Sequence, residues 1–89
     1  MKTITESDLA RLQPRQLEWM YWLARDHNKY GAAYFMGLSN NSTPRRQNAI
    51  RFRLGLSRYA NLKAIARTHK KWILKNAIVK GQGKVKGWA

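Results

Sequence analysis

The sequence predicts an all-α domain of four helices followed by a basic tail, and three observations carry that expectation. Apolar residues recur at helical spacing in two long windows, Leu17, Met20, Tyr21, Ala24 and later Leu62, Ile65, Ala66, His69, Trp72, Ile73. Capping residues and prolines stand at the heads of the expected helices, and Gly37 and Gly55 follow two of them. With 44% hydrophobic residues and four Trp, the 89 residues can build one compact core. A chain this short buries only about 60% of the surface that it exposes unfolded. One domain over residues 1–79 and a flexible tail over 80–89 are therefore expected.

A short first helix is expected over 6–12, because Thr5 and Asp8 have capping-box spacing, with Asp in place of the usual Glu or Gln. Its acids suit a helix N-terminus. Pro14 suits a first helical position, where its missing N–H costs nothing, and residues 14–26 read as a strong amphipathic helix. Trp19 and Trp22 widen its apolar face; filling the core is their simplest use, and stacking on bases is the other. Asn28 caps a two-turn helix over 29–36 that ends at Gly37. Ala32, Ala33, Phe35 and Met36 supply its buried side, and Gly31 weakens it by about 1 kcal/mol relative to Ala.

The next stretch, "NNSTPRRQNAIRFRLG" at 40–55, is polar and arginine-rich. The residue before proline avoids the α region, so Thr43 is expected to be the cap and Pro44 the first helical residue. At about 100° per residue, Ile50 and Leu54 then share a core-facing side with Gln47 beside them. Arg45, Asn48 and Phe52 face away, and Arg46 and Arg53 flank the core stripe. Gly55 ends this helix. Ser57 is expected to cap a closing helix over about 58–78. The tail "KGQGKVKGWA" holds too little apolar surface to order itself. The order is helix, short helix, turn, helix and closing helix, the outline of a helix-turn-helix domain.

Charge points to the partner. The net charge is +14 and the sequence pI near 11.1. All four acids, Glu6, Asp8, Glu18 and Asp26, lie in the first 26 residues, where four bases balance them; the other 14 Lys and Arg follow with no acid among them. Such a one-sided field costs stability through self-repulsion unless a polyanion is present. Nucleic acid is the natural polyanion.

Several function classes are disfavoured. There is no cysteine, and two lone histidines make no convincing zinc site. No paired-carboxylate, nucleophile–base or metal constellation stands in the basic two-thirds, so an enzyme is not expected, nor a cofactor or small-molecule ligand. No apolar run approaches the ~20 residues of a membrane span. A soluble cytosolic protein is the expectation.

The outward side of the 44–54 helix suits a DNA major groove. Arg pairs bidentately with guanine O6 and N7, and Asn with adenine N6 and N7. The expected base-reading residues are thus Pro44, Arg45, Asn48 and Phe52, the last for a thymine methyl. Asn41, Ser42 and Thr43, with unpaired backbone N–H groups around Ser42 and Thr43, are expected at phosphates. Lys29, Arg46, Arg51, Arg53, Arg58, Lys80, Lys84 and Lys86 are expected there as well.

Residues 12–56 resemble the LuxR/FixJ-type helix-turn-helix, also called GerE-like. The likeness rests on "LQPRQLEWMYWLA" at 12–24, "NKYGAAYFMGLS" at 28–39 and "IRFRLGL" at 50–56, with "SRYANLKAIA" at 57–66 similar to the start of that family's fourth helix. About 55 of the 89 residues are covered. The resemblance implies four helices, a third that enters the major groove, and dimerisation through the fourth. That fourth helix offers Leu62, Ile65, His69 and Trp72 as a dimer face, although the domain's own core competes for the same stripe. The family's base-facing positions fall on Pro44, Arg45 and Asn48, with Pro44 in place of a usual Lys. Gln13 replaces a capping Thr, Asn28-Lys29 stands one place early, and Gln47 replaces an apolar residue. No receiver or ligand-binding domain is evident, which associates the chain with a phage, plasmid or other mobile element. A sequence-specific binder of double-stranded DNA that regulates transcription is the leading expectation. An adaptor for RNA polymerase or another regulator, and a binder of structured RNA, are the alternatives.

Overall fold

The computed structural model describes residues 3–80, and these form six α-helices with no strand among them. They are α1 (Glu6–Leu9), α2 (Pro14–Ala24), α3 (Lys29–Met36), α4 (Thr43–Arg53), α5 (Leu62–Thr68) and α6 (Lys70–Asn76), with one 3-10 turn at Asn40–Ser42. Among the described residues no helix is long and apolar enough to cross a membrane.

Helix α2 is the centre. It packs against α3 on one side and against α5 and α6 on the other, while α4 rests on α3 and the 3-10 turn. Trp19, Met20, Leu23 and Ala24 of α2 are buried together with Ala32, Ala33 and Met36 of α3, Ile50 and Leu54 around the end of α4, and Leu62, Ala66 and Ile73 beyond it. Trp19 is thus a core residue, not an exposed stacking platform.

The caps explain the boundaries. Asp8 N–H donates to Thr5 Oγ1 at 3.2 Å while Thr5 N–H donates to Asp8 Oδ2 at 2.9 Å, the reciprocal arrangement read from the sequence. Helix α1 nevertheless stops at Leu9, and Leu12 is buried in the connection to α2. Helix α2 ends at Ala24 rather than residue 26, because Asp26 takes a left-handed φ of 69°. Asn28 Oδ1 accepts from Gly31 N–H at 2.9 Å to start α3, as the sequence predicts. At its end Gly37 has φ 67°, and Leu38 N–H closes onto the Ala33 carbonyl at 2.8 Å. Gly31 stands close to His27: a Cβ there would sit 3.0 Å from His27 Cβ, so the His27 side chain would have to give way.

Two expectations fail at helix starts. Thr43 is not the cap. It is helical (φ −63°, ψ −42°) and buried, and its hydroxyl donates to the Asn40 carbonyl at 3.0 Å. The helical run begins earlier, where Ser39 Oγ accepts from Asn41 N–H at 3.1 Å, and the 3-10 turn leads straight into α4. Burial and the hydroxyl bond of Thr43 outweigh the general reluctance of a pre-proline residue to be helical. The closing helix also differs from its predicted 58–78 span. Asn61, not Ser57, caps it, with Oδ1 accepting from Ala64 N–H at 3.1 Å. It is interrupted at His69 (φ −107°, ψ 25°), whose Nε2 lies 2.9 Å from the Ile4 carbonyl. The closing helix is therefore two, and with the short α1 the described residues hold six helices where the outline has four. The tail over 81–89, with Lys84, Lys86 and Trp88, lies outside the described residues; Lys80 is exposed.

A buried charge pins α2 to α3. Glu18 is 0% exposed. Arg15 Nη1 donates to Glu18 Oε1 at 2.7 Å, and Arg15 Nη2 donates to the Met36 carbonyl at 3.1 Å. Trp22 Nε1 donates to Glu18 Oε2 at 3.3 Å, and the Trp22 ring stacks on Phe35 with centroids 4.5 Å apart. Removing one partner of a buried pair strands the other. Arg15→Ala is therefore expected to lower the unfolding free energy in a urea titration by about 3 kcal/mol, the lower end of that range because the Arg15 side chain is partly exposed. Arg15→Lys should recover only part of the loss, since one ammonium does not match the planar fork that reaches both acceptors.

Candidate nucleic-acid interface

Helix α4 has three kinds of surface, set by its helical phase. Thr43, Ile50 and the following Leu54 are buried and fasten it to the core. Pro44, Arg45, Asn48 and Phe52 are exposed, with Phe52 86% open to solvent. This ridge is the one expected from the phase, although the helix starts one residue earlier than its proline implies. The two flanks between ridge and core open into clefts.

The first cleft, about 410 Å³, runs between the start of α2, the end of α3 and the start of α4; Gln13, Gln16, Met36, Arg45, Arg46 and Ala49 are among its walls. The second, about 440 Å³, lies on the other flank, where Lys29, Tyr30, Gln47, Arg51, Tyr59 and Lys63 meet. Each cleft carries cations, and the second adds two exposed tyrosines, Tyr30 at 53% and Tyr59 at 80%. Both rings have a cation over them: Lys29 Nζ lies 5.2 Å from the Tyr30 centroid and the Arg58 guanidinium 5.3 Å from that of Tyr59. Lys29 thus joins α4 through the fold, from a position 18 residues before Gln47, while Arg58 stands beside the cleft only through its contact with the Tyr59 ring.

Other expected phosphate ligands are placed differently. Arg51 is half-buried, and its Nε donates to the Ala60 carbonyl at 2.8 Å while Nη1 donates to Asn48 Oδ1 at 3.0 Å. Arg53 Nε donates to the Arg11 carbonyl at 2.9 Å, tying the end of α4 to the α1–α2 connection. Both arginines are structural ties as well as charges. The N–H groups expected to receive a phosphate are already used. Asn41 N–H goes to Ser39 Oγ, Ser42 N–H to the Ser39 carbonyl and Thr43 N–H to the Asn40 carbonyl. The Thr43 side chain is buried and the Ser42 hydroxyl donates to the Ser39 carbonyl at 2.8 Å, so neither hydroxyl proton is left over for a phosphate. A 3-10 turn consumes donors that a freely starting α-helix leaves open.

Much of the expected dimer stripe packs on the chain's own core. Leu62 is buried, Ile65 and Trp72 pack against the core, and His69 reaches the Ile4 carbonyl. The exposed apolar residues of this region are instead Leu74, Ile78 and Val79.

Gln13, Gln16, Tyr30, Tyr59 and Lys63 were not expected at this surface. The dipeptides Lys29-Tyr30 and Arg58-Tyr59 are a local signal of a basic, aromatic surface, but only the fold sets them beside α4. No protein-family model matches the chain, and neither a curated protein nor a solved structure shows significant similarity to it.

The ridge and the anchor of α4 separate in a stability measurement. Phe52→Ala should leave the unfolding free energy within about 0.5 kcal/mol of wild type. Ile50→Ala, two positions away but fully buried, should lose about 2–5 kcal/mol in the same urea titration.

Proposed function

We propose that the protein binds double-stranded DNA in a sequence-specific way and regulates transcription, with α4 in the major groove. One observation carries the reading: the exposed Arg45, Asn48 and Phe52 ridge stands between two clefts that both present cations. A major groove is about 12 Å wide and admits one helix. A helix seated there has a phosphate strand on either side. Arg46 on one flank, and Lys29 and Lys63 on the other, stand where the two strands would pass. The ridge then meets base edges, Arg45 with guanine and Asn48 with adenine, while Phe52 suits a thymine methyl.

In this reading α3 and α4 are the two helices of a helix-turn-helix, joined through residues 37–42, and the likeness to LuxR/FixJ-type domains is consistent with it. The charge distribution supports the same partner, since acid-free sequence from residue 27 onward supplies both flanks. Phosphate contacts position a protein on DNA, whereas base contacts specify the site. The two classes of residue should therefore behave differently.

Arg45→Ala should cost about 1–3 kcal/mol on a selected duplex and relax preference at one base pair, as measured by titration against selected and random DNA. An equal loss on both duplexes would sink the base-reading role. Arg46→Ala and Lys29→Ala should each weaken selected and random DNA alike and lower the slope of log affinity against log salt by about 1. An unchanged slope in both variants would remove the flanking clefts from the interface.

A further inference from the structure

We propose that Arg51 is a positioning residue that fixes how Asn48 presents its amide to a base, and thereby sets the preference of α4 at one position of its site. The proposal rests on the DNA-reading role given to α4 above. Arg51 follows Asn48 by three residues, a spacing at which side chains on a helix meet. Its guanidinium bridges two places. Nε donates to the Ala60 carbonyl at 2.8 Å, in the segment that leads to α5, and Nη1 donates to Asn48 Oδ1 at 3.0 Å on the exposed side of α4. Arg51 is half-buried while Asn48 is exposed, so the anchored end lies inward and the reading end outward.

The consequence follows from the shapes of the two groups. A guanidinium is planar with its donors in a fixed fork, so a bond at Nε to a backbone carbonyl also fixes where Nη1 points. An asparagine amide has two donors on one atom and an acceptor with two lone pairs on the other. Its terminal torsion is soft and nearly two-fold, so a free Asn exchanges oxygen and nitrogen easily. Arg51 removes that freedom, because only Oδ1 can accept from it. The amide is left with one lone pair on Oδ1 and both Nδ2 protons, which is the set that adenine requires: Oδ1 accepts from N6, and Nδ2 donates to N7. Arg51 thus orders before binding a side chain that would otherwise have to be ordered on binding. Its expected use as a phosphate ligand does not account for the bond to Asn48; the clamp does.

The test uses the full chain in four forms: wild type, Arg51→Lys, Asn48→Ala and the double variant. Lysine keeps the charge but not the forked pair of donors. Each form is put through selection of duplexes from a random pool and titrated on selected and random DNA, with melting curves to correct for lost folding. The affinity of Arg51→Lys for random DNA is the reference against which its loss on selected DNA is read. This variant should lose about tenfold in discrimination at the single base position that Asn48→Ala also affects. In the Asn48→Ala background it should change nothing at that position. In the free protein, the Asn48 side-chain amide should be rigid by NMR relaxation in wild type and mobile in Arg51→Lys. Unchanged preference in Arg51→Lys, or an effect that persists without Asn48, overturns the proposal. An Asn48 amide equally mobile in both proteins overturns the clamp alone, whatever the DNA result. A wild-type protein that selects no motif overturns the DNA reading of α4, and the proposal with it.

Discussion

The buried carboxylate of Glu18 is the constraint from which the placement of α4 follows. A carboxylate removed from water is costly unless it is paired and hydrogen-bonded. Arg15 and Trp22 supply that satisfaction from the same helix, one turn to either side. Arg15 does more, because its second nitrogen reaches the Met36 carbonyl at the end of α3. Trp22 likewise lies flat on Phe35 of α3. One charge thus determines where α3 ends against α2. From that end the chain turns at Gly37, enters the 3-10 turn and runs into α4, so the direction of the ridge depends on a contact two helices away.

The remaining cations follow a related rule. From residue 27 onward no acid is available to pair with them. Several therefore use backbone carbonyls: Arg51 takes Ala60, Arg53 takes Arg11 and Lys63 takes Asp26. These bonds join α4 and α5 to the connections around them without spending a carboxylate. An ion pair that reaches back to the acidic part, Arg67 with Asp26 at 3.6 Å, is well exposed on both sides and contributes little. The basic excess thus supplies both ties that hold the fold and charges that face the two clefts, and Arg51 and Lys63 do both. Arg45 and Arg46 stay at the surface of α4, and Arg51 is drawn partly inward.

Much of α4 was legible in its own residues. Ile50 and Leu54 lie one turn apart, so they define a buried side wherever the helix begins, and Arg45, Asn48 and Phe52 must then face outward. The exposure of this ridge thus follows from phase alone, although Thr43 is helical rather than the cap. The start of the helix was not legible, since a threonine before proline signals a boundary by its local preferences. Its burial is a tertiary fact. The same holds for the closing helix. Its stripe of Leu62, Ile65, His69 and Trp72 has helical period, but period does not say whether a stripe meets the chain's own core or a second copy.

By itself the sequence determined the all-helical class, the caps at Thr5 and Asn28, the turn at Gly37 and the phase of α4. All of these are local, governed by residues within a turn of one another. Only the tertiary structure decided which residues share a surface. His69 meets Ile4 across 65 positions, and Arg53 meets Arg11 across 42. The two clefts beside α4 form in the same way, from Gln13 and Gln16 on one flank and from Tyr30, Tyr59 and Lys63 on the other. No local pattern encodes such meetings, because they depend on how the helices pack around α2, and that packing is set by burial of the whole core at once.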